Sequence, residues 1–334
     1  MKKLHLSVLD QSPITFGSNP RQAIKETEAL VRLADRLGYT RYWVSEHHNI
    51  VSLAGSTPEV LIAHLAGETQ RIRVGSGGVM LPNHSALKVA ENFRMLETLF
   101  PGRIDLGMGR APGGDRITAY LLNPSNRFEE KEFVQQLIDL RGFLRDEAEA
   151  GSVQEKVKAI PQAATLPELW LLTSSGESAY LAAHLGMGLS FARFINPQGA
   201  AEAISIYKER FRASNELSKP ACSVSILVAC ADTEAKADEL RGFLDYRLLN
   251  LEKGAREFLP PYAEVRDTVY SDAEKARIEY NRGRMITGTP EVVKSRLLSL
   301  ADETGVPEII VTTITERFED RVRSYELLAE AFGL

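Results

Sequence analysis

Eight short apolar runs recur along the chain, at Leu4–Leu9, Arg41–Val44, Ile72–Gly75, Ile104–Met108, Glu168–Leu172, Met187–Phe191, Cys222–Ala229 and Glu308–Thr312. They are rich in Val, Ile, Leu or Trp, and most stop near Gly, Ser, Asp or Pro. That pattern predicts strands buried on both faces. The stretches between them carry a helical period. Residues 23–37 place Ile24, Ala29, Leu30, Leu33, Ala34 and Leu37 on one face, with Gly38 as a stop. Ser56-Thr57-Pro58-Glu59 predicts a helix start: a hydroxyl cap, a proline in the first turn and an acid near the positive end of the dipole. Further helices are expected over 86–100, 128–145, 177–185, 197–213, 233–251, 290–304 and 317–332. Strands alternating with helices indicate a parallel α/β fold. Eight units fit a closed TIM-type (β/α)8 barrel. A doubly wound open sheet is the alternative, because local pattern does not show closure.

Spacing refines this. The first four runs start at residues 4, 41, 72 and 104, close to the ~30 residues of one strand-helix unit. The intervals from 104 to 168 and from 222 to 308 are far longer. The whole of 1–334 is therefore read as one barrel domain with insertions after strands four and seven, at about 111–167 and 253–289. Long segments after barrel strands lie over the mouth, which makes both insertions candidate lids, with 253–289 expected to close over the site.

Composition removes several classes. Lys+Arg 40 against Asp+Glu 45 gives a net charge of −5, the wrong sign for a sequence-independent nucleic-acid binder. Hydrophobic content of 44% with 25% charged residues is that of a globular protein. Two cysteines make no disulfide framework, and Cys222 and Cys230 have no clustered histidines, so no metal site is expected. Lys2 and Lys3 precede a run broken by His5, Ser7 and Asp10, which does not read as a secretory signal. No apolar window approaches the ~18 residues of a membrane span. A soluble protein in a reducing, cytoplasmic setting, with no nucleic acid or membrane as partner, is the expectation.

Candidate chemistry is sought at the C-terminal ends of strands, where barrel active sites lie. The second strand exits into Ser45-Glu46-His47-His48-Asn49. Adjacent extended residues face opposite ways, so His47 and His48 do different jobs. A sheltered histidine here serves either proton transfer or structure. The third exit, Ser76-Gly77-Gly78, permits a bulge or a close backbone approach to a ligand. The fourth, Gly107-Met108-Gly109-Arg110, is not a dinucleotide fingerprint, because Pro112 stands where the third glycine belongs. Arg110 offers a fork to a phosphate. The fifth, Thr173-Ser174-Ser175-Gly176-Glu177-Ser178, opens a helix with small hydroxyl residues, either a plain cap or an anion seat. Glu177 in that first turn competes for the same field. An anion seat beside a histidine cluster and a glycine-lined wall suits a phosphorylated planar cofactor.

Together these segments resemble the bacterial-luciferase-like family of flavin-dependent monooxygenases. The resemblance lies in RYWVSEHHN at 41–49, RIRVGSGGVMLPNHSALKVAENFRMLETLFPGRIDLGMGR at 71–110, WLLTSSGESAYLAAHLGMGLSFA at 170–192 and GTPEVVKSRLLSLADETGVPEIIV at 288–311. It implies a TIM-type barrel using reduced FMN and O2 to oxygenate a small organic substrate, aldehydes being the best-known case. It also implies a separate flavin reductase as the reduced-flavin source, and a homodimer formed through the helices near 57–69 and 85–100. By position, His47 matches the family's catalytic histidine, with Glu46 and His48 flanking it. Ser76, Gly77 and Gly78 match a bulged exit that can hold a non-proline cis peptide against the flavin. Arg110, Ser174, Ser175, Gly176 and Ser178 match phosphate contacts. Residues 253–289 match no family lid, which leaves the substrate open. The competing readings are a deazaflavin-dependent hydride-transfer enzyme of the same fold and a non-catalytic flavin-binding protein.

Overall fold

The structure is a computed structural model that describes residues 3–125, 127–148, 150–255 and 258–334. Lys2 and positions 126, 149, 256 and 257 of the two insertions lie outside the described residues. All eight expected strands form: β1 (His5–Asp10), β2 (Arg41–Val44), β3 (Arg73–Met80), β4 (Ile104–Gly109), β5 (Glu168–Thr173), β6 (Gly188–Ala192), β7 (Cys222–Cys230) and, after an unexpected β8 (Met285–Gly288), β9 (Glu308–Thr312). Every pairing is parallel. Hydrogen bonding runs β1 to β6 in order, then β6–β7, β7–β9 and β9–β1, which closes the barrel. The open-sheet alternative is thereby excluded.

β8 corrects the reading of 253–289 as lid alone. β7 is long enough to be shared along one edge. β6 holds it through Ala192↔Ser225, and β8 takes over from Leu227↔Met285 to Cys230↔Gly288. The helix before β8, Asp272–Arg282, starts with a reciprocal Ser271–Glu274 capping box. It is anchored to the helix Glu234–Glu252: Arg277 donates to Glu252 at 2.7 Å, and Arg282 reaches Asp245 at 2.8 Å. At the expected start of the second helix, Pro58–Gly67, Thr57 occupies the cap position, but its side chain makes no capping hydrogen bond.

Strand alternation sends every second side chain into the barrel. The lowest interior layer is ionic. Arg41 donates to Asp105 at 2.8 Å, to Glu308 at 2.7 Å and to Glu168 at 3.2 Å, and Arg73 donates to Asp105 at 2.7 Å. The next layer is apolar: Leu9, Trp43, Trp170 and Ile310 pack together, with the two indoles edge-to-face at 5.5 Å. These rings need glycine opposite them, since a Cβ on Gly188 would come within 2.6 Å of the Trp170 ring. β3 and β4 approach more tightly still. A Cβ on Gly107 would lie 2.2 Å from the Ser76 carbonyl oxygen, and one on Gly75 would lie 2.3 Å from that of Asp105. Above these layers the strand ends enclose an open space.

Candidate active site

The mouth holds a cavity of about 950 Å³. Its floor is Leu9, Trp43, Gly77 and Leu172, and its walls carry Ser45, His47, Met80, Arg110 and the run Thr173–Ser175 with Ser178. Ser190, Ala192 and Ser225 line the side of β6 and β7. Small residues there leave room for a flat ligand over the Trp43 layer.

The exit of β2 places each polar residue differently. His47 lines the cavity. Its Nδ1 lies 3.0 Å from the Ser45 hydroxyl, and its backbone N–H donates to the Gly55 carbonyl at 2.8 Å. Nε2 has no protein partner among the described residues. Burial is the largest influence on this imidazole and pushes it down to about 4; Glu46 opposes that and His48 adds to it. His47 is therefore neutral at neutral pH, able to accept a proton or to donate one hydrogen bond.

Glu46 lies behind the wall, not in the cavity. Its carboxylate is fully buried. Oε1 accepts from His48 Nε2 at 2.7 Å and from His84 Nε2 at 2.8 Å, and Oε2 accepts the Met80 N–H at 2.8 Å. Burial alone would raise its pKa, but the bond and charge of His84, then His48 and the Met80 N–H, outweigh that and hold it low. Burial would lower His84, yet the Glu46 bond and charge hold it above the usual histidine value. Glu46 thus fastens the β2 exit to the β3 exit. His84 was not singled out in the sequence, and its distance along the chain from Glu46 left no local signal.

The β3 exit is bulged where register shifts between Gly77 and Val79, and the Gly77–Gly78 peptide is cis. A Cβ on Gly77 would meet Leu9 Cδ1 at 2.8 Å, and one on Gly78 would meet Leu172 Cδ1 at 2.5 Å. Ser76 turns away from the cavity, donating to the Gly107 carbonyl at 2.9 Å and accepting the Gly107 N–H at 3.1 Å.

The fifth exit opens the helix Glu177–Leu185. Ser174, Ser175 and Ser178 line the cavity, and their hydroxyls have no protein partners among the described residues. Thr173 Oγ1 instead accepts the Ser175 N–H at 3.1 Å and shapes the turn. Gly176 is the cap residue, and a Cβ there would meet nothing. Arg110 reaches this seat and pairs with Glu177 at 2.9 Å, the competition that residue's position suggested. Free hydroxyls, a helix N-terminus and a guanidinium at one spot make an anion seat. The arrangement fits the phosphate of a planar phosphorylated cofactor.

The first insertion, not the second, forms the outer wall. Ala111, Pro112, Arg116, Ala119, Tyr120, Arg127 and Phe128 line the cavity, whereas no described residue of 253–289 does. The lid expected there is corrected accordingly: its helix packs on Glu234–Glu252 and β8 pairs with β7, and neither lines the cavity. No group of three described residues offers metal-ligating atoms in the cavity; the one such cluster, Glu28, His64 and Glu68, lies on the outer surface with Arg32 paired to both acids.

The luciferase-like monooxygenase family model matches residues 4–308. The Bacillus subtilis (strain 168) protein YwcH is 52% identical over 329 residues, 98% of this chain and 99% of its own. The N-acetyl-S-alkylcysteine monooxygenase of the same strain is 35% identical over 340 residues, covering 98% of each. Among solved structures, apo-MsnO8 is 38% identical with a TM-score of 0.91, covering 99% of each chain. The oxygenating constituent of 3,6-diketocamphane monooxygenase from Pseudomonas putida, in complex with FMN, shares the fold at a TM-score of 0.72 and 19% identity, over 98% of this chain and 97% of that one. Fold and relatives define an oxidoreductase of the barrel class, a monooxygenase. The chain belongs to the luciferase-like monooxygenase family. No described helix is long and apolar enough to cross a membrane.

Proposed function

We propose that this chain is a flavin-dependent monooxygenase that uses reduced FMN and O2, the reduced flavin coming from a separate reductase in the cytoplasm. The carrying observation is the anion seat: three unpartnered serine hydroxyls, a helix N-terminus and Arg110 at one end of a cavity whose other end holds His47. The fold neighbour in complex with FMN supports the choice of cofactor. Bound there, FMN supplies the oxygen-activating chemistry. The overall change is balanced: reduced FMN, O2 and substrate give FMN, water and the oxygenated substrate. The protein's own part is to hold and to exclude. Ser174, Ser175 and Ser178 would donate to the FMN phosphate, and Arg110, here paired with Glu177, would add its guanidinium. Gly77 and Gly78 let the ring approach the backbone. Neutral His47 exchanges a proton at a substrate or cofactor oxygen through Nε2. Ala111, Pro112, Ala119, Tyr120 and Phe128 on the outer wall keep water out.

Anaerobic titration tests this. Reduced FMN should bind, and Ser174→Ala with Ser178→Ala should weaken it by tenfold or more. No affinity for either redox form, or tighter binding of a reduced deazaflavin, refutes the assignment. We also propose a homodimer through the helices Pro58–Gly67 and Ala86–Leu99, whose outer faces expose Val60, Met95 and Leu99. A monomer mass by light scattering would refute that pairing.

A further inference from the structure

The cavity wall is charged in one sense only. Its lining contains Arg110, Arg116 and Arg127 beside His47, and no aspartate or glutamate. This occurs in a chain of net charge −5. Arg110 is engaged: it pairs with Glu177 at the anion seat. Arg116 and Arg127 are not. Among the described residues no carboxylate lies within ion-pair distance of either guanidinium. Both belong to the first insertion, Arg116 as the first residue of the helix Arg116–Leu122 and Arg127 shortly after its end. The same segment brings Tyr120 and Phe128 to the wall, and Phe194 and Ile195 also line the cavity.

One cation and three hydroxyls suffice for a single cofactor phosphate. Two further arginines line the same space, both exposed and neither in an ion pair, Arg127 feeling only the longer-range charge of Glu129; such a rim is suited to a second anion. A guanidinium fork matches a carboxylate in planar geometry, and the pairing strengthens as the ligand expels water from the mouth. The aromatic and aliphatic side chains beside the arginines suit an apolar body on the same molecule.

We propose that the substrate is a small carboxylate with an apolar reacting end, and that Arg116 and Arg127 are the residues that select it by binding its carboxylate at the rim. The apolar end then extends inward past Tyr120 and Phe128 toward His47 and the cofactor. This rests on the flavin reading of the same cavity and narrows it: the neutral aldehyde is not the preferred class.

The test uses full-length protein loaded with FMN. Flavin fluorescence is titrated with N-acetyl-S-ethylcysteine and hexanoate, each beside its neutral N-methylamide. Both carboxylates should bind at least tenfold more tightly than their amides. The double variant Arg116→Met, Arg127→Met should abolish that preference and leave amide binding and FMN affinity within twofold. Lysine at both positions should restore part of it. Equal binding of carboxylate and amide, or no binding of either carboxylate, overturns the proposal. So does a double variant that loses FMN instead, which would assign the two arginines to the phosphate. Failure of the wild type to bind FMN at all is a separate result, and it refutes the cofactor reading before any carboxylate is added.

Discussion

Replacing Glu46 by Gln removes a buried charge while keeping the shape of the side chain. The carboxylate accepts three hydrogen bonds, from His48, His84 and the Met80 N–H. An amide satisfies all three sites in only one way. Its oxygen faces the Met80 N–H, and its NH2 group donates to both imidazoles as neutral acceptors. That arrangement requires His84 to give up the proton that Glu46 otherwise favours. Three charge-assisted bonds become neutral ones, a loss of about 1 kcal/mol each, so Glu46→Gln should destabilise the fold by about 3 kcal/mol where His84 is charged. The pH dependence follows from linkage. His84 is raised, so its contribution is complete below its usual value of 6.5 and fades as pH rises through its folded pKa. Glu46 is lowered, so its contribution is present above 4.5 and fades only as pH falls through its folded pKa. Urea unfolding of both proteins at about pH 6 and about pH 9 measures the difference, which should shrink at the higher pH. Equal stability at the lower pH, or a loss that does not change with pH, refutes the charged Glu46–His84 pairing. An NMR titration of His84, returning toward an ordinary value in the variant, reports the same pairing directly.

Three other outcomes are expected. Because burial holds His47 near 4, substrate turnover should stay flat from neutral pH down through the ordinary histidine range and fall only as pH approaches about 4; a limb near 6.5 would show that His47 titrates normally or does not act. Arg41→Ala strands the buried carboxylate of Glu308 and leaves Asp105 its pairing with Arg73, and should cost about 3–5 kcal/mol in unfolding free energy, whereas a loss below about 1 kcal/mol would mean that water repairs the layer. Gly107→Ala drives a methyl against the Ser76 carbonyl oxygen, and since backbone rather than a flexible side chain must move, yield or thermal midpoint should drop sharply, by about 3 kcal/mol or more; an unchanged melting curve would show that β3 and β4 can separate.

The eight barrel strands were legible because strands buried on both faces must be continuously apolar, and little else in a sequence looks like that. β8 was not. Met285–Gly288 is four residues long, follows a polar helix and ends in glycine, so it carries no run of its own. Its place is set by the free upper edge of β7. At the site, alternation correctly separated His47 from His48, since it depends only on neighbours in the chain. The role of Glu46 was not recoverable, because its partners His84 and Met80 come from another strand exit. The same holds for the wall. Arg116, Tyr120 and Arg127 belong to a stretch whose surface position is fixed by tertiary packing; interval length marked both insertions as candidate lids and could not show that only the one after β4 lines the cavity.

That division of labour bears on how such a protein can diverge. The described residues of 111–128 that line the cavity contribute no strand to the barrel, while the segment that contributes β8 does not line it. Grafting 111–128 from a relative should therefore exchange ligand preference as one cassette, with strand register and the glycine floor intact. Grafting 253–289 should instead alter assembly around β7 and leave preference as it was. Recombination between relatives can draw new specificities from the first exchange without risking the barrel.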